Sequence, residues 1–275
     1  MRLVSPIVIK IAETAIVQEN WDRLLSWIGP EAEAWYRTRI AGDWGMPFSA
    51  EALTEICGRI CYKSFGTELN PNLTQVRPDR KSFIRNIIEK GDGSIFEHST
   101  VTFAVLYCSR VFTHELVRHR AGMSFSQESL RFVRITDLPI VNTGHGVNLS
   151  EEYDKSLYNS MTEAMRSAEK AYQKLNDGVD WDHMSFDEKK RLTSWLRRAL
   201  PQGMATNIIF TANNRALRWL IEMHTNPAAE MEIRQIFGTI ADICLQDYPL
   251  LYQDMEMVSL SDGTKQYSFK LRSKL

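Results

Sequence analysis

The run Thr100 to Cys108 sets the tightest limit on how this chain folds. Its residues, Thr-Val-Thr-Phe-Ala-Val-Leu-Tyr-Cys, are dense in β-branched and aromatic side chains and carry no charge, so the run reads as a strand buried in a sheet. Ser109 follows at once, and a serine there caps a helix through Val117. A buried strand feeding a short helix delivers what comes next, Arg118-His119-Arg120, to one defined place at the helix C-terminal end.

The remaining elements fall around that unit. Ile7 to Ile11 reads as a first strand. Ser49 is an N-cap for a helix with Leu53, Ile56 and Ile60 at helical spacing. A second helix spans Asp79 to Lys90, with Phe83, Ile84, Ile87 and Ile88 on one face and Gly91 as its stop. Asn20 to Trp44 carries Trp21, Trp27, Trp35, Tyr36 and Trp44 among charges, which predicts a packed helical excursion. Asp137 to Ser150 is polar and turn-rich, a loop. Beyond Ser150 the pattern turns helical: Glu151 to Asn176, a capping box at Ser185 to Glu188 opening a helix with Leu192, Trp195, Leu196 and Leu200 on one side, then Asn214 to His224 and Ala229 to Gln246. The class is α+β, a small antiparallel or mixed sheet in a helix-rich body, organised as one domain over residues 1–275 with an insertion at about 15–48.

A net charge of −1 removes any global field favouring nucleic acid or an anionic membrane, so an anion site must come from locally clustered arginines. No uninterrupted apolar run is long enough to span a bilayer, and no signal segment opens the chain, so a soluble cytoplasmic protein is expected. The four cysteines, Cys57, Cys61, Cys108 and Cys244, include no second pair at metal-ligand spacing. They read as buried, small apolar residues of a reducing compartment. His114-Glu115 and His119 resemble a zinc-protease pattern only superficially. The two histidines are five apart, off a common helical face, and no metal is expected. His145 and His183 lie in loop or capping contexts and should face solvent.

The densest chemistry lies between Arg118 and Phe132. Three arginines, three serines, a glutamine and a glutamate stand there among small residues. Arginine offers a planar fork that grips phosphate bidentately, while serine and glutamine donate singly. Such a set can hold a nucleotide beside a dinucleotide cofactor. A solvated loop of surface ion pairs has the same composition, and so does a nucleic-acid module or an ion-paired subunit interface, although no basic stripe accompanies it.

Arg118-His119-Arg120, then Ser124-Phe125-Ser126-Gln127 and Ser129-Leu130-Arg131-Phe132, resembles the signature of the flavin-dependent thymidylate synthases, ThyX, with one residue inserted near Ala121-Gly122-Met123. Gly58 to Tyr62, Phe96 to Phe103, Arg197 to Pro201, Thr211 to Arg215 and Glu232 to Arg234 resemble further segments of that family in the same order, so the likeness runs from about Ala52 to Gly263. The resemblance implies a ThyX-like homotetramer with sites between subunits. It implies FAD as cofactor, NADPH as reductant and methylenetetrahydrofolate as carbon donor, with C5 of a pyrimidine nucleotide as acceptor, dUMP becoming dTMP. By position, His98, Thr100, Arg118, His119, Arg120, Ala121, Asn213 and Arg215 would meet the flavin. Glu115, Arg118, Gln127, Glu128, Ser129, Arg131 and Arg197 would meet the nucleotide, Ser129 as a binding group rather than a nucleophile.

The chain departs from the family at His224, where the family carries an arginine that promotes ionisation of the pyrimidine, and at Ala228, where it carries a histidine. An imidazole cannot replace a permanently charged planar fork. His224 is therefore the candidate catalytic residue whose role is most open. A paralogue acting on UMP, or one that hydroxymethylates dUMP, is the alternative.

Overall fold

The computed structural model describes residues 2–30, 33, 34, 37, 49–65, 71, 75–132, 138–141 and 151–271. Its centre is a four-stranded antiparallel sheet. Strands β2 (Ile7–Glu13), β3 (Thr100–Ser109), β4 (Met123–Gln127) and β6 (Ala205–Asn213) lie in the order β2-β3-β6-β4. Two smaller pairs flank it, β1 (Arg2–Val4) parallel to β5 (Pro139–Val141) and the hairpin β7 (Met255–Ser259) with β8 (Lys265–Phe269).

The strand expected at Thr100 runs one residue further, to Ser109. Period-two alternation sends Val101, Phe103 and Val105 to one face, beside Ile208, Phe210 and Ala212 of β6. That face is buried under α7 (Asn214–His224) and α8 (Met231–Asp247), which contribute Leu217, Leu220, Ile221, Ile233, Ile236 and Phe237 to the same core. The opposite face leaves Ile7, Ile9 and Ile11 of β2 and Ile209 of β6 exposed, with Ile9 and Ile209 aligned across Ala104.

Helix α2 (Ala50–Tyr62) starts where expected, Ser49 Oγ accepting the Ala52 amide. Helix α3 (Arg80–Lys90) is capped by Asp79 and stopped by Gly91 at φ 79°. The two meet at Gly58, where a β-carbon would lie 2.9 Å from the Phe83 ring, so only glycine permits this approach. A buried ion cluster locks the pair: Glu55 accepts from Arg59 Nε at 2.8 Å and from Arg80 Nε at 2.9 Å. Helix α1 (Gln18–Ile28) lays Trp21 and Leu25 on Ile56, each such burial being worth roughly 1.5–3 kcal/mol. The aromatic segment is thus packed only in part, because Trp27 is 80% exposed, while Trp35, Tyr36 and Trp44 lie outside the described residues.

Three expectations need correction. The second half is not purely helical. Between α6 (Phe186–Leu196) and α7 runs β6, and the β7–β8 hairpin follows α8. Thr206, Ile208, Ile209, Phe210 and Thr211 carry the same β-branched, aromatic signal as β3 and pair with it. Cys61 is exposed and Cys57 only partly buried, so the description as buried apolar residues holds for Cys108 and Cys244 alone; all four thiols are free. Trp195 also faces solvent, leaving Leu196 as the buried residue on its side of α6. Helix α5 (Glu151–Asp177) and the capping box at Ser185 form as read. The expected loop from Asp137 to Ser150 lies almost wholly outside the described residues, as does His145, apart from the short β5, while His183 is exposed and paired with Asp180.

Candidate active site

The short helix α4 (Arg110–Leu116) grows from the end of β3. Ser109 caps it, its Oγ accepting the Phe112 amide at 3.1 Å, and Ser109 is itself gripped by Glu232 of α8 through both its amide and its hydroxyl. Burial pushes the Glu232 carboxyl up to about 7, against the opposing effect of those hydrogen bonds. Helix α4 ends in a tight turn. The Arg118 amide donates to Glu115, that of His119 to Leu116, and that of Met123 to Arg120. Gly122 takes φ +71°, and its carbonyl accepts the Asn213 amide at 3.0 Å. The turn from Arg118 to Gly122 is thereby bound to the start of α7, whose N-cap is Asn213, with Oδ1 accepting the Ala216 amide at 2.8 Å.

These two elements wall a cavity of about 690 Å³. On one side lie Arg118, His119, Arg120 and Ala121; on the other, Asn213, Arg215, Ala216, Trp219 and Leu220, with Glu97 at the rim. Arg215 Nη1 pairs with Glu97 at 2.5 Å, whereas among the described residues no ion pair engages Arg118 or Arg120. Three guanidinium groups against one paired carboxylate, at a helix N-terminus, are a set that could hold an anion. Trp219 adds an aromatic wall. The chemistry of this set fits a ligand with phosphates and a flat ring.

His119 is clamped within the wall. Its ring stands edge-on to Trp219 (centroids 5.3 Å apart) and edge-on to His224 (4.9 Å), and its Nε2 is 3.0 Å from the Nε2 of His224. Burial first and Arg118 second hold His119 below the usual imidazole range, with Glu115 opposing. Burial and then His119 push His224 down to about 4. His224 is 6% exposed, lies on Phe237, and stands behind His119 rather than among the residues lining the cavity.

A second polar group adjoins the first along β4. Gln127 donates to Thr113 of α4 at 3.0 Å, and Glu128 accepts from Asn207 of β6 at 3.2 Å. Leu130 is buried with Leu138, Ile140 and Met204, so the flanking Ser129 and Arg131 are held at the surface of that small core, where Ser129 Oγ accepts the Arg131 amide. Arg197 opens the turn after α6, close enough to Arg110 that its charge, after burial, lowers the Arg110 guanidinium from its ordinary value. Arg110 Nη1 is buried without a hydrogen-bond partner among the described residues. An unpaired buried donor beside a second arginine is an incomplete arrangement that an anion would complete.

A family model, thymidylate synthase complementing protein, matches residues 47–250. The chain belongs to that family. A flavin-dependent thymidylate synthase from Mycobacterium tuberculosis is 33% identical over 263 residues, 93% of this chain and 96% of that one. One from Corynebacterium aurimucosum is 31% identical over 229 residues, covering 82% and 89%. Among solved structures, a UMP/dUMP methylase, PolB from Streptomyces cacaoi, bound with 5-Br UMP, superimposes with a TM-score of 0.63 at 17% identity, covering 92% of this chain and 94% of that one. That likeness speaks for the fold.

With the family established, the positions carried over from its signature divide cleanly. Arg118, His119, Arg120, Ala121, Asn213 and Arg215 come together on the cavity. His98 and Thr100 lie outside the lining, His98 next along the chain to Glu97 and Thr100 paired across the sheet with Asn213, its hydroxyl bound to that of Thr14. Glu115, Gln127, Glu128, Ser129, Arg131 and Arg197 lie outside the cavity lining. Sequence reasoning misses Glu97, Gly122, Met123, Ala216, Trp219 and Leu220 as lining residues. The last two follow from Arg215 and Ala216 by helical spacing, once α7 is known to turn that face to the turn at Gly122. It also misses Arg110, whose signal is its place at the first position of a helix already singled out. Among the described residues, no group of three or more His, Cys, Asp or Glu side chains is placed to hold a metal ion, and no helix is long and apolar enough to cross a membrane.

Proposed function

We propose that this chain transfers a one-carbon unit from methylenetetrahydrofolate to C5 of a pyrimidine nucleotide, converting dUMP to dTMP with NADPH as reductant and FAD as cofactor. As a family member it is an enzyme of the thymidylate synthase-like methyltransferase type. The observation that carries the reading is the cavity in which Arg118, His119 and Arg120 face the N-terminus of α7.

Arg118, Arg120 and Arg215 would hold the cofactor's phosphates, with Ala121 and Asn213 at the helix N-terminus and His98 and Thr100 at its margin. When bound there, a flavin would supply the reducing equivalents needed to take a transferred carbon from methylene to methyl. His119 and Trp219 fix the wall against which a flat ring lies. Arg110 and Arg197, with Ser129 and Arg131, would bind the nucleotide phosphate. Glu115, Gln127 and Glu128, together with Arg118, would orient the base and sugar. Arg110 is our addition to the set, since its buried Nη1 needs an acceptor.

The exposed isoleucines of β2 and β6 support a homotetramer, because an apolar sheet face is stabilised by a second copy. Four free thiols support a cytoplasmic setting. A second reading, methylation of UMP or hydroxymethylation of dUMP, is favoured by one observation: position 224 holds a buried imidazole pushed to about 4, not a permanent cation. Titration of the purified protein with FAD, followed by fluorescence quenching, tests the cofactor site. Tight binding lost on Arg120→Ala and Arg215→Ala is expected, and no binding by the unaltered chain rejects the proposal.

A further inference from the structure

The contact between His119 and His224 has a chemistry of its own. Both rings meet through Nε2, 3.0 Å apart. A hydrogen bond between two such atoms requires one N–H and one lone pair. When both rings are neutral, one must be the Nε2–H tautomer and the other the Nδ1–H tautomer. The geometry also removes rotational freedom. His224 is the last residue of α7, with its ring on Phe237, while His119 is bracketed edge-on by Trp219 and His224 from the same helix. Only Nδ1 of His119 is then left for a ligand in the cavity that His119 lines.

We propose that His224 is a positioning residue, which holds the ring of His119 in one orientation and one tautomer against the cavity. The consequence for flavin rests on the function proposed above; the fixed pair itself does not. Burial and the neighbouring Arg118 disfavour a proton on His119, and burial and His119 disfavour one on His224, so the pair is neutral near pH 7. Position 224 therefore acts on the site through His119, by a defined hydrogen bond and without a charge of its own.

The test separates the two layers. In flavin-free protein labelled with 15N-histidine, the ring nitrogen shifts of His119 and His224 at neutral pH should report opposite neutral tautomers, each essentially pure. His224→Phe keeps a ring on Phe237 and removes Nε2; His119 should then show a mixture of tautomers. His224→Gln, whose amide reaches about as far as Nε2, should restore the hydrogen bond, its Oε1 accepting from His119 or its NH2 donating to it. In FAD titrations the Phe variant should bind roughly three- to tenfold more weakly, the span of one lost hydrogen bond, with an altered flavin absorption band, and the Gln variant should recover both. Mixed tautomers in the unaltered protein, or a Phe variant whose FAD affinity and flavin band are unchanged, overturn the proposal. So does His224→Arg that raises one-carbon transfer, since it would show that the position serves as a cation. If the unaltered chain binds no FAD, the function proposed above fails while the tautomer measurement still decides the pair.

Discussion

Gly122→Ala should do more damage than its exposed position suggests. Gly122 has φ +71°, where a β-carbon costs roughly 1–2 kcal/mol. The added carbon would also lie 2.5 Å from Asn213 Nδ2 and 2.9 Å from Cγ and Oδ1, so the asparagine side chain must turn away. That side chain is the N-cap of α7, and an N-cap is worth about 1 kcal/mol. The sum is about 2–3 kcal/mol, which at ~2–4 °C per kcal/mol lowers Tm by roughly 4–12 °C. Scanning calorimetry of flavin-free Gly122→Ala, Asn213→Ala and the double variant separates the causes. Asn213→Ala should cost about 1 kcal/mol, and the double variant only about 2–3, because the clash and the cap vanish together. The two single costs should thus exceed the double by about 1 kcal/mol. FAD affinity should fall in step, since both residues line the cavity. A Tm within about 1 °C of the unaltered protein, or strict additivity, would refute this use of the close approach.

Glu55→Ala leaves Arg59 and Arg80 buried without their carboxylate and should cost about 3–5 kcal/mol in chemical denaturation; a cost below about 1 kcal/mol contradicts the cluster's role. Arg110→Ala should weaken a nucleoside monophosphate about tenfold or more and leave the phosphate-free nucleoside unchanged, measured by calorimetric titration; equal losses for both would remove Arg110 from the phosphate site. Glu232 has a folded pKa of about 7 against an ordinary 4.5, so the folded state binds its proton more tightly. Its contribution to stability is full below about pH 4.5 and is lost as pH rises through about 7. Glu232→Gln, fixed neutral, should gain about 3 kcal/mol relative to the unaltered protein as pH rises between those limits, and a pH-independent difference would contradict the assignment.

How far the site was legible in the sequence depends on whether its residues are neighbours along the chain. Arg118-His119-Arg120 could be placed because the strand at Thr100 and the cap at Ser109 are local signals, and both form as read. Asn213 and Arg215 could be named by resemblance, but their approach to Gly122 is long-range. It depends on β4 and β6 pairing from Met123↔Ala212 to Gln127↔Ile208, which no local pattern encodes. β4 itself was hidden because Ser124, Ser126 and Gln127 read as ligands rather than as the outward half of an alternating strand. The partner of His224 was hidden for a similar reason. The two histidines are far apart in sequence and meet only when α7 packs beside the turn that ends α4.

The most direct test of the central proposal is the mass of the nucleotide recovered after incubating the purified protein with FAD, NADPH and methylenetetrahydrofolate, using dUMP and UMP in separate reactions. The account predicts a product heavier by one methylene unit, formed from dUMP and dependent on each of the three additions. Its formation from UMP alone, or a product heavier by methylene plus oxygen, selects the second reading. Unmodified dUMP and UMP, from protein that has bound FAD, would contradict one-carbon transfer altogether.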